Sequence, residues 1–414
     1  MSLKICFFSG NRAEYGLLKP IIEKISYNPK FSVTFIISGA HLDKEYGATI
    51  EEIQKDGFDS FYKVSLKNSF KKDQALNSKT IGLGTIKIAE ALLKIKPDMF
   101  VVYADRFEGF AAIIASTQMN IPTIHIEGGD ITEGGALDDS VRHAMTKLSH
   151  LHFTTNNEAK QRILAMGEEK WRVATIGYPA LDMIKKRNYA TKDEIIKKFE
   201  LGSCKNIILF TQHSVTTEYG KAKDQFEESF NAIKKISSKK VRVIVTFPNN
   251  DIGGDLILKR IKLNLKKYEN IMIFPSIGRY YYHGILSLSK DNSFNIVCAG
   301  NSSSGIKETP TFKCPTVNIG SRQLGRLRGT NIIDVGYNSN QIYKAFNKAL
   351  FDKKFISQCK KTINPYGGGN SAELANNFIS KLNYNKEKLL VKKMTLKKKY
   401  LEKLSNIKFY DRTD

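Results

Sequence analysis

The chain has 414 residues, too many for one typical core, so two domains are expected. Its apolar share of 41% and charged share of 26% are those of a globular protein, and no uninterrupted apolar run approaches the roughly 18 residues of a membrane span, which excludes an integral helical membrane protein. The net charge of +24 raises nucleic acid as a partner, but lysine supplies most of it, spread over expected outer helix faces without a basic stripe interleaved with aromatics; an anionic small substrate is expected instead.

In chain order, Leu3 to Ser9 reads as a first strand rather than a signal peptide, because it passes into the glycine turn Gly10-Asn11-Arg12-Ala13-Glu14-Tyr15 and not into a cleavage site. Arg12 at that strand end suits bidentate contact with a phosphate, and a surface ion pair with Glu14 is the alternative. Phe31 to Ser38 is a second strand, Lys79 to Lys96 a long helix before Pro97, and Asp98 to Tyr103 the next strand. Strand and helix alternating at this spacing predict a parallel, doubly wound sheet, whose ligands bind beyond the carboxyl ends of the strands. Asp105 follows one strand, Glu127 follows the strand Thr123 to Ile126, and Asp138 and Asp139 open a helix running to about Ser149. One Asp at a helix start is commonly an N-cap. Carboxylates converging from three segments repel one another and call for a use.

After the strands Leu151 to Thr154 and Trp171 to Ile176, Gly177-Tyr178-Pro179 reads as the inter-domain joint and a second alternating series begins. His213 lies at the end of strand Asn206 to Thr211, where it suits contact with a phosphate or leaving group; a structural histidine is the alternative. Strands Val241 to Phe247 and Ile271 to Phe274 follow, then the apolar run Phe294 to Cys298, which breaks at Gly300 into Ser302, Ser303 and Ser304 before a helical pattern from Gly305 to Glu308. Strand, small-residue turn and helix start together read as a phosphate cradle, although an ordinary capped turn uses the same residues. Thr316 to Ile319 ends in a basic loop containing Arg322 and Arg326, and a late helix, Ala372 to Leu382, follows Asn364-Pro365-Tyr366-Gly367. From Asn383 a lysine-rich tail with Leu389, Leu390, Leu396, Leu401 and Leu404 is expected to be solvated or oligomer-facing. The five scattered cysteines predict reduced, mostly buried thiols in a cytoplasmic protein, His150 and His152 read as structural, and the seven histidines lack zinc spacing. No Walker loop and no Gly-x-Gly-x-x-Gly after a strand occurs, so neither a nucleoside triphosphatase nor a nicotinamide enzyme is expected.

Taken together, Gly10-Asn11-Arg12-Ala13-Glu14-Tyr15, Asp105-Arg106-Phe107, His125-Ile126-Glu127-Gly128-Gly129, Asp138-Asp139-Ser140-Val141-Arg142-His143, Gln212-His213, Gly300-Asn301-Ser302-Ser303, Gly320-Ser321-Arg322-Gln323 and Asn364-Pro365-Tyr366-Gly367 resemble the hydrolysing UDP-N-acetylglucosamine 2-epimerases. These are the enzymes of bacterial sialic-acid pathways and the epimerase half of the bifunctional animal protein, and the match runs to about Leu382. The resemblance implies a GT-B-like α/β fold of two Rossmann-like domains facing across a cleft, over residues 1–177 and 178–364, with a helix over 365–382 crossing back to the first and a tail over 383–414. It implies elimination of UDP across C1 and C2 to a 2-acetamidoglucal, then hydration to the free 2-epimer. Asp105, Glu127, Asp138, Asp139 and His213 are the implied catalytic set. Arg12, Ser302, Ser303, Ser304, Gly305, Glu308 and Arg322 are the implied nucleotide and diphosphate contacts. The expected partner is a nucleotide sugar, UDP-GlcNAc or a relative; a homodimer or homotetramer is expected, and neither a metal nor a cofactor is. Two departures bear on the sugar: Tyr103-Ala104 stand where the family has His-Gly, and the loop Ile131 to Gly135 is longer. Alternatives are the same reaction on UDP- or GDP-N,N'-diacetylbacillosamine for legionaminic acid, the non-hydrolysing epimerase, a GT-B glycosyltransferase, and a silent nucleotide-sugar-binding protein.

Overall fold

In the strand β1 (Leu3–Ser9), Ile5 and Phe7 join one core with Leu18, Ile22 and Phe35, while Cys6 and Phe8 join another with Ile36, Ile88 and Phe100. Successive side chains of a strand point to opposite faces, so an apolar run that does not alternate needs helices over both. That is the arrangement in the computed structural model, which describes residues 2–42, 50–67, 70, 75–132, 136–237, 240–249, 252–264 and 268–395. The chain forms two compact units: Met1–Asp130 with Ser140–Ile176 and Ala372–Asp414, and Ile131–Asp139 with Gly177–Ser371.

The first unit holds β1, β2 (Phe31–Ser38), β3 (Phe61–Val64), β4 (Met99–Tyr103), β5 (Thr123–Ile126), β6 (Leu151–Thr154) and β7 (Val173–Thr175), parallel and in the order β3-β2-β1-β4-β5-β6-β7. Neighbour order reverses at β1 and β4, where Phe7 lies between Phe35 and Val101, and such a switch opens a crevice at the strand ends. The edge strand β3 has only Val64 buried and carries no apolar run to announce it. The strand expected from Trp171 begins at Val173, because Lys170–Arg172 form a 3-10 turn that buries the Arg172 guanidinium.

The crossing-back helix is present as Ser371–Lys381, whose Ala372, Ala375 and Ile379 enter the first unit's core, with Phe378 edge-on to Phe153 at 5.4 Å. The tail departs from the solvated expectation over Lys386–Leu390: Leu389 is buried, and Arg172 donates to the carbonyls of Leu389 at 2.8 Å and Val391 at 2.7 Å. A buried guanidinium has several donors to place, and helix-end carbonyls are acceptors that need them. Leu396, Leu401 and Leu404 lie outside the described residues.

The second unit is a six-stranded parallel sheet in the order β10-β9-β8-β11-β12-β13, from β8 (Asn206–Thr211), β9 (Val241–Thr246), β10 (Ile271–Phe274), β11 (Asn295–Gly300), β12 (Thr316–Ile319) and β13 (Ile332–Val335). Its core gathers Ile208, Phe210, Val243 and Val297 with Phe226, Ile233 and Phe346 from helices Ala222–Ser237 and Ser339–Phe351. Here the switch falls between β8 and β11. Among the described residues no helix is long and apolar enough to cross a membrane. The cysteines are unpaired, and Cys6, Cys298, Cys314 and Cys359 are buried.

Candidate functional site

In the first unit the acids cluster at the ends of β4 and β5, adjacent strands in register at Tyr103 and Ile126. Each strand turns sharply as it ends: Ala104 and Glu127 have φ of 59° and 68°. For residues with a Cβ this left-handed backbone costs roughly 1–3 kcal/mol each, and it redirects the chain so that the next side chains leave the sheet edge. The strain is held by ordinary sheet bonds, Ala104 N–H to Ile126 O at 2.9 Å and Glu127 N–H to Phe153 O at 2.8 Å. His125 adds a third, donating from Nε2 to Ala104 O at 2.6 Å; burial lowers its pKa to about 3, so the ring is neutral.

Asp105, Glu127 and Asp139 each accept from a neighbouring donor. Asp105 pairs with Arg142, whose side chain is 2% exposed and also donates to Asp130 O at 2.8 Å. Glu127, 6% exposed, accepts the Tyr103 hydroxyl. Asp138 and Asp139 occupy the first turn of helix Ala136–Leu148, which also supplies Arg142. Asp139 accepts from Thr132 N–H at 2.9 Å and Thr132 Oγ1 at 2.8 Å, so it holds the loop entering the helix, and Asp138 is exposed. Both belong to the stretch Ile131–Asp139 that groups with the second unit. The Arg12 side chain lies outside the described residues.

In the second unit the β8/β11 switch joins His213 to the serine turn through Asn301. The Asn301 side chain accepts the His213 N–H at 2.7 Å and donates to the His213 carbonyl at 2.9 Å; its own carbonyl accepts from Arg322 Nη1 at 3.2 Å and Gln323 Nε2 at 2.9 Å. His213 Nδ1 accepts the Asn249 N–H at 2.9 Å, which leaves the ring proton on Nε2. Burial, then the Arg322 charge, lowers the His213 pKa to about 3, so the ring is a neutral N–H donor beside a fixed cation.

The turn itself starts from Ser303, the cap of the short helix Ser304–Lys307, with Gly305 N–H on Ser302 O at 3.1 Å. Ser304 Oγ is 3.1 Å from Ser302 Oγ and 2.6 Å from the Tyr282 hydroxyl. Glu308 meets His283 Nε2 at 2.9 Å; burial pushes its carboxyl up, but His283, Arg279 and Lys307 outweigh this and hold it below the ordinary value. Thus His213, Ser302, Ser303, Ser304, Gly305, Glu308 and Arg322 come from one sheet edge and the loops beyond it. Arg142, Tyr103, Asn301 and Tyr282 are supporting residues that were not among the expected site residues, and the burial that marks the first of them is a property of the fold.

A family model described as UDP-N-acetylglucosamine 2-epimerase matches residues 23–380. The chain is 36% identical over 358 residues, 85% of its length and 88% of the relative's, to the GDP/UDP-N,N'-diacetylbacillosamine 2-epimerase (hydrolyzing) of Campylobacter jejuni. It is 30% identical over 382 residues, 92% of its length and 95% of the relative's, to the UDP-N-acetylglucosamine 2-epimerase of Neisseria meningitidis. In fold it is similar to the crystal structure of UDP-GlcNAc 2-epimerase from Neisseria meningitidis bound to UDP-GlcNAc, with TM-score 0.77 at 18% identity over 92% of this chain and 100% of that one. The fold is therefore the two-domain α/β fold of the GT-B kind. With the family model covering most of its length and a relative above 30% identity, the chain belongs to the hydrolysing UDP-N-acetylglucosamine 2-epimerase family.

Proposed function

We propose that the chain is a hydrolysing nucleotide-sugar 2-epimerase, which converts a UDP-linked 2-acetamido sugar and water into the free 2-epimer and UDP. The observation that carries this reading is the pair of acids at adjacent strand ends, Asp105 held by Arg142 and Glu127 by the Tyr103 hydroxyl. The C2 proton of such a sugar is not beside a carbonyl. A carboxylate removes it only as the C1–O bond breaks and C1 gains positive charge, so one carboxylate is needed to take the proton and another to stabilise the cationic sugar. As the C2–H pair becomes the C1–C2 double bond, the C1–O pair leaves with the diphosphate. In the proposal Asp105 and Glu127 serve these roles with Asp138, while Asp139 holds the loop.

The departing group is a weakly basic diphosphate, for which fixed donors do more than full protonation. A neutral imidazole N–H from His213, the Arg322 guanidinium, the Ser302-Ser303-Ser304-Gly305 turn and Arg12 are assigned to it, and Glu308 to the ribose. Water then adds its hydroxyl to C1 and a proton returns to C2 from the opposite face, which completes the epimerisation. Two features favour a second reading of the sugar, a 2,4-diacetamido-trideoxyhexose such as N,N'-diacetylbacillosamine: the greater identity to the Campylobacter jejuni relative, and Tyr103 in place of the family's histidine.

Offering purified protein UDP-GlcNAc and UDP-N,N'-diacetylbacillosamine in parallel, with free UDP and sugar followed by NMR, tests both readings. Free UDP with the free 2-epimer of either sugar supports the reaction and identifies the substrate. An epimer still linked to UDP supports the non-hydrolysing alternative, and no turnover of either sugar overturns the proposal.

A further inference from the structure

One buried carboxyl of the first unit takes no part in the chemistry above. Glu14 is 5% exposed in the first turn of helix Arg12–Ser26, and Asn11 already caps that helix by accepting the Glu14 N–H at 3.0 Å. Its Oε2 accepts the Gly10 N–H at 2.7 Å, whereas its buried Oε1 makes no hydrogen bond to any described residue and lies 3.9 Å from Nε of Arg106. Arg106 instead donates to the buried Glu108, from Nε at 3.2 Å and Nη2 at 3.3 Å, and 49% of its side chain remains exposed. These residues follow β1 and β4, the two strands at the first unit's switch point, where a ligand of a doubly wound sheet binds. Among the described residues two buried carboxyls thus face one half-exposed guanidinium, and Glu108 is the one it hydrogen-bonds.

We propose that Glu14 is a positioning residue for Arg106: as a neutral acid it leaves the guanidinium to Glu108 and its exposed edge to an anionic ligand group, and as a carboxylate it draws the guanidinium inward. The inference rests on the nucleotide-sugar reading, since it takes that anionic group to be a diphosphate. Burial first, then the Glu108 charge, raises the Glu14 carboxyl to about 7, with Asp105 adding to the rise and the Gly10 N–H and Arg106 opposing it. On the neighbouring 3-10 turn, His41 packs edge-on to Tyr15 and is kept neutral by burial, its pKa lowered to about 4, so it adds no charge in this range. An acid whose pKa is raised by folding binds more protons folded than unfolded between the two values, so both the Glu14 contribution to stability and the open arrangement of Arg106 are lost as pH rises through about 7.

The test is calorimetric titration of UDP into the wild type, Glu14→Gln and Glu108→Gln between about pH 6 and about pH 9. Wild-type affinity is expected to fall about tenfold further over this range than that of Glu14→Gln, which mimics the neutral acid at every pH; Glu108→Gln, which removes both the holder of Arg106 and a charge that raises Glu14, should weaken binding and move its fall to lower pH. In an Arg106→Ala background, Glu14→Gln should change nothing. Thermal unfolding should show the stability of the wild type relative to Glu14→Gln declining from about pH 5 to about pH 8, a difference from which the neutral buried histidines cancel. Parallel affinity profiles for wild type and Glu14→Gln, a Glu14→Gln effect that survives in Arg106→Ala, or a stability difference that does not change with pH overturns the inference and leaves the functional reading standing. No binding of UDP at any pH overturns that reading and the inference with it.

Discussion

Glu127→Gln and Asp105→Asn are each expected to lower turnover by about a thousandfold while changing UDP affinity by less than about threefold. Both substitutions keep shape and remove only the charge and the capacity to accept a proton, which matter when the C2–H bond breaks and C1 becomes cationic. The two variants should part company in stability. Glu127→Gln keeps an acceptor for the Tyr103 hydroxyl, so its unfolding midpoint should hardly move. Asp105→Asn removes a charge that the Arg142 guanidinium, 2% exposed, pairs with, so its unfolding midpoint should fall. Turnover assays with UDP titration and urea unfolding separate these effects. Unchanged turnover in both variants would remove the acids from the mechanism.

A second large effect is expected at Gly300. Its φ is 114°, and a Cβ added there would lie 1.9 Å from the Thr211 carbonyl oxygen on the neighbouring strand. Gly300 pairs with Thr211 in the sheet, and Asn301 N–H donates to that same carbonyl at 3.1 Å, so a side chain has to pry β11 from β8 at the point where Asn301 clamps His213. Gly300→Ala should therefore cost at least about 3 kcal/mol in urea unfolding, through backbone strain and overpacking together, and weaken UDP binding by at least about tenfold. A variant with wild-type stability and affinity would show that the turn tolerates displacement and that the His213 clamp is not required.

The positions of the acids were legible because a doubly wound sheet places its loops by topology alone: once strands end at Tyr103 and Ile126, Asp105 and Glu127 must stand at one edge. The serine turn was legible for the same reason, following an apolar run that can only be a covered strand. What stayed hidden were the partners. Arg142 lies 37 residues from the aspartate it pairs with, and nothing local distinguishes it from a surface arginine. Ala104, where the family has glycine, adopts a φ of 59° that suits glycine best, so the conformation is kept at a cost in strain, and Tyr103 beside it gives Glu127 a phenolic donor. The tail shows the opposite failure. Its lysines read as solvated, but Arg172, 217 residues earlier than Leu389, uses the tail's carbonyls as acceptors.

In the proposed reaction C2 loses its hydrogen and C1 its nucleotide before water adds. Turnover of the preferred nucleotide sugar in deuterated water, with the products followed by NMR, should give free UDP together with a free 2-epimer carrying one deuterium at C2. A free sugar with its original hydrogen at C2, or a deuterated epimer still joined to UDP, would contradict the proposed reaction.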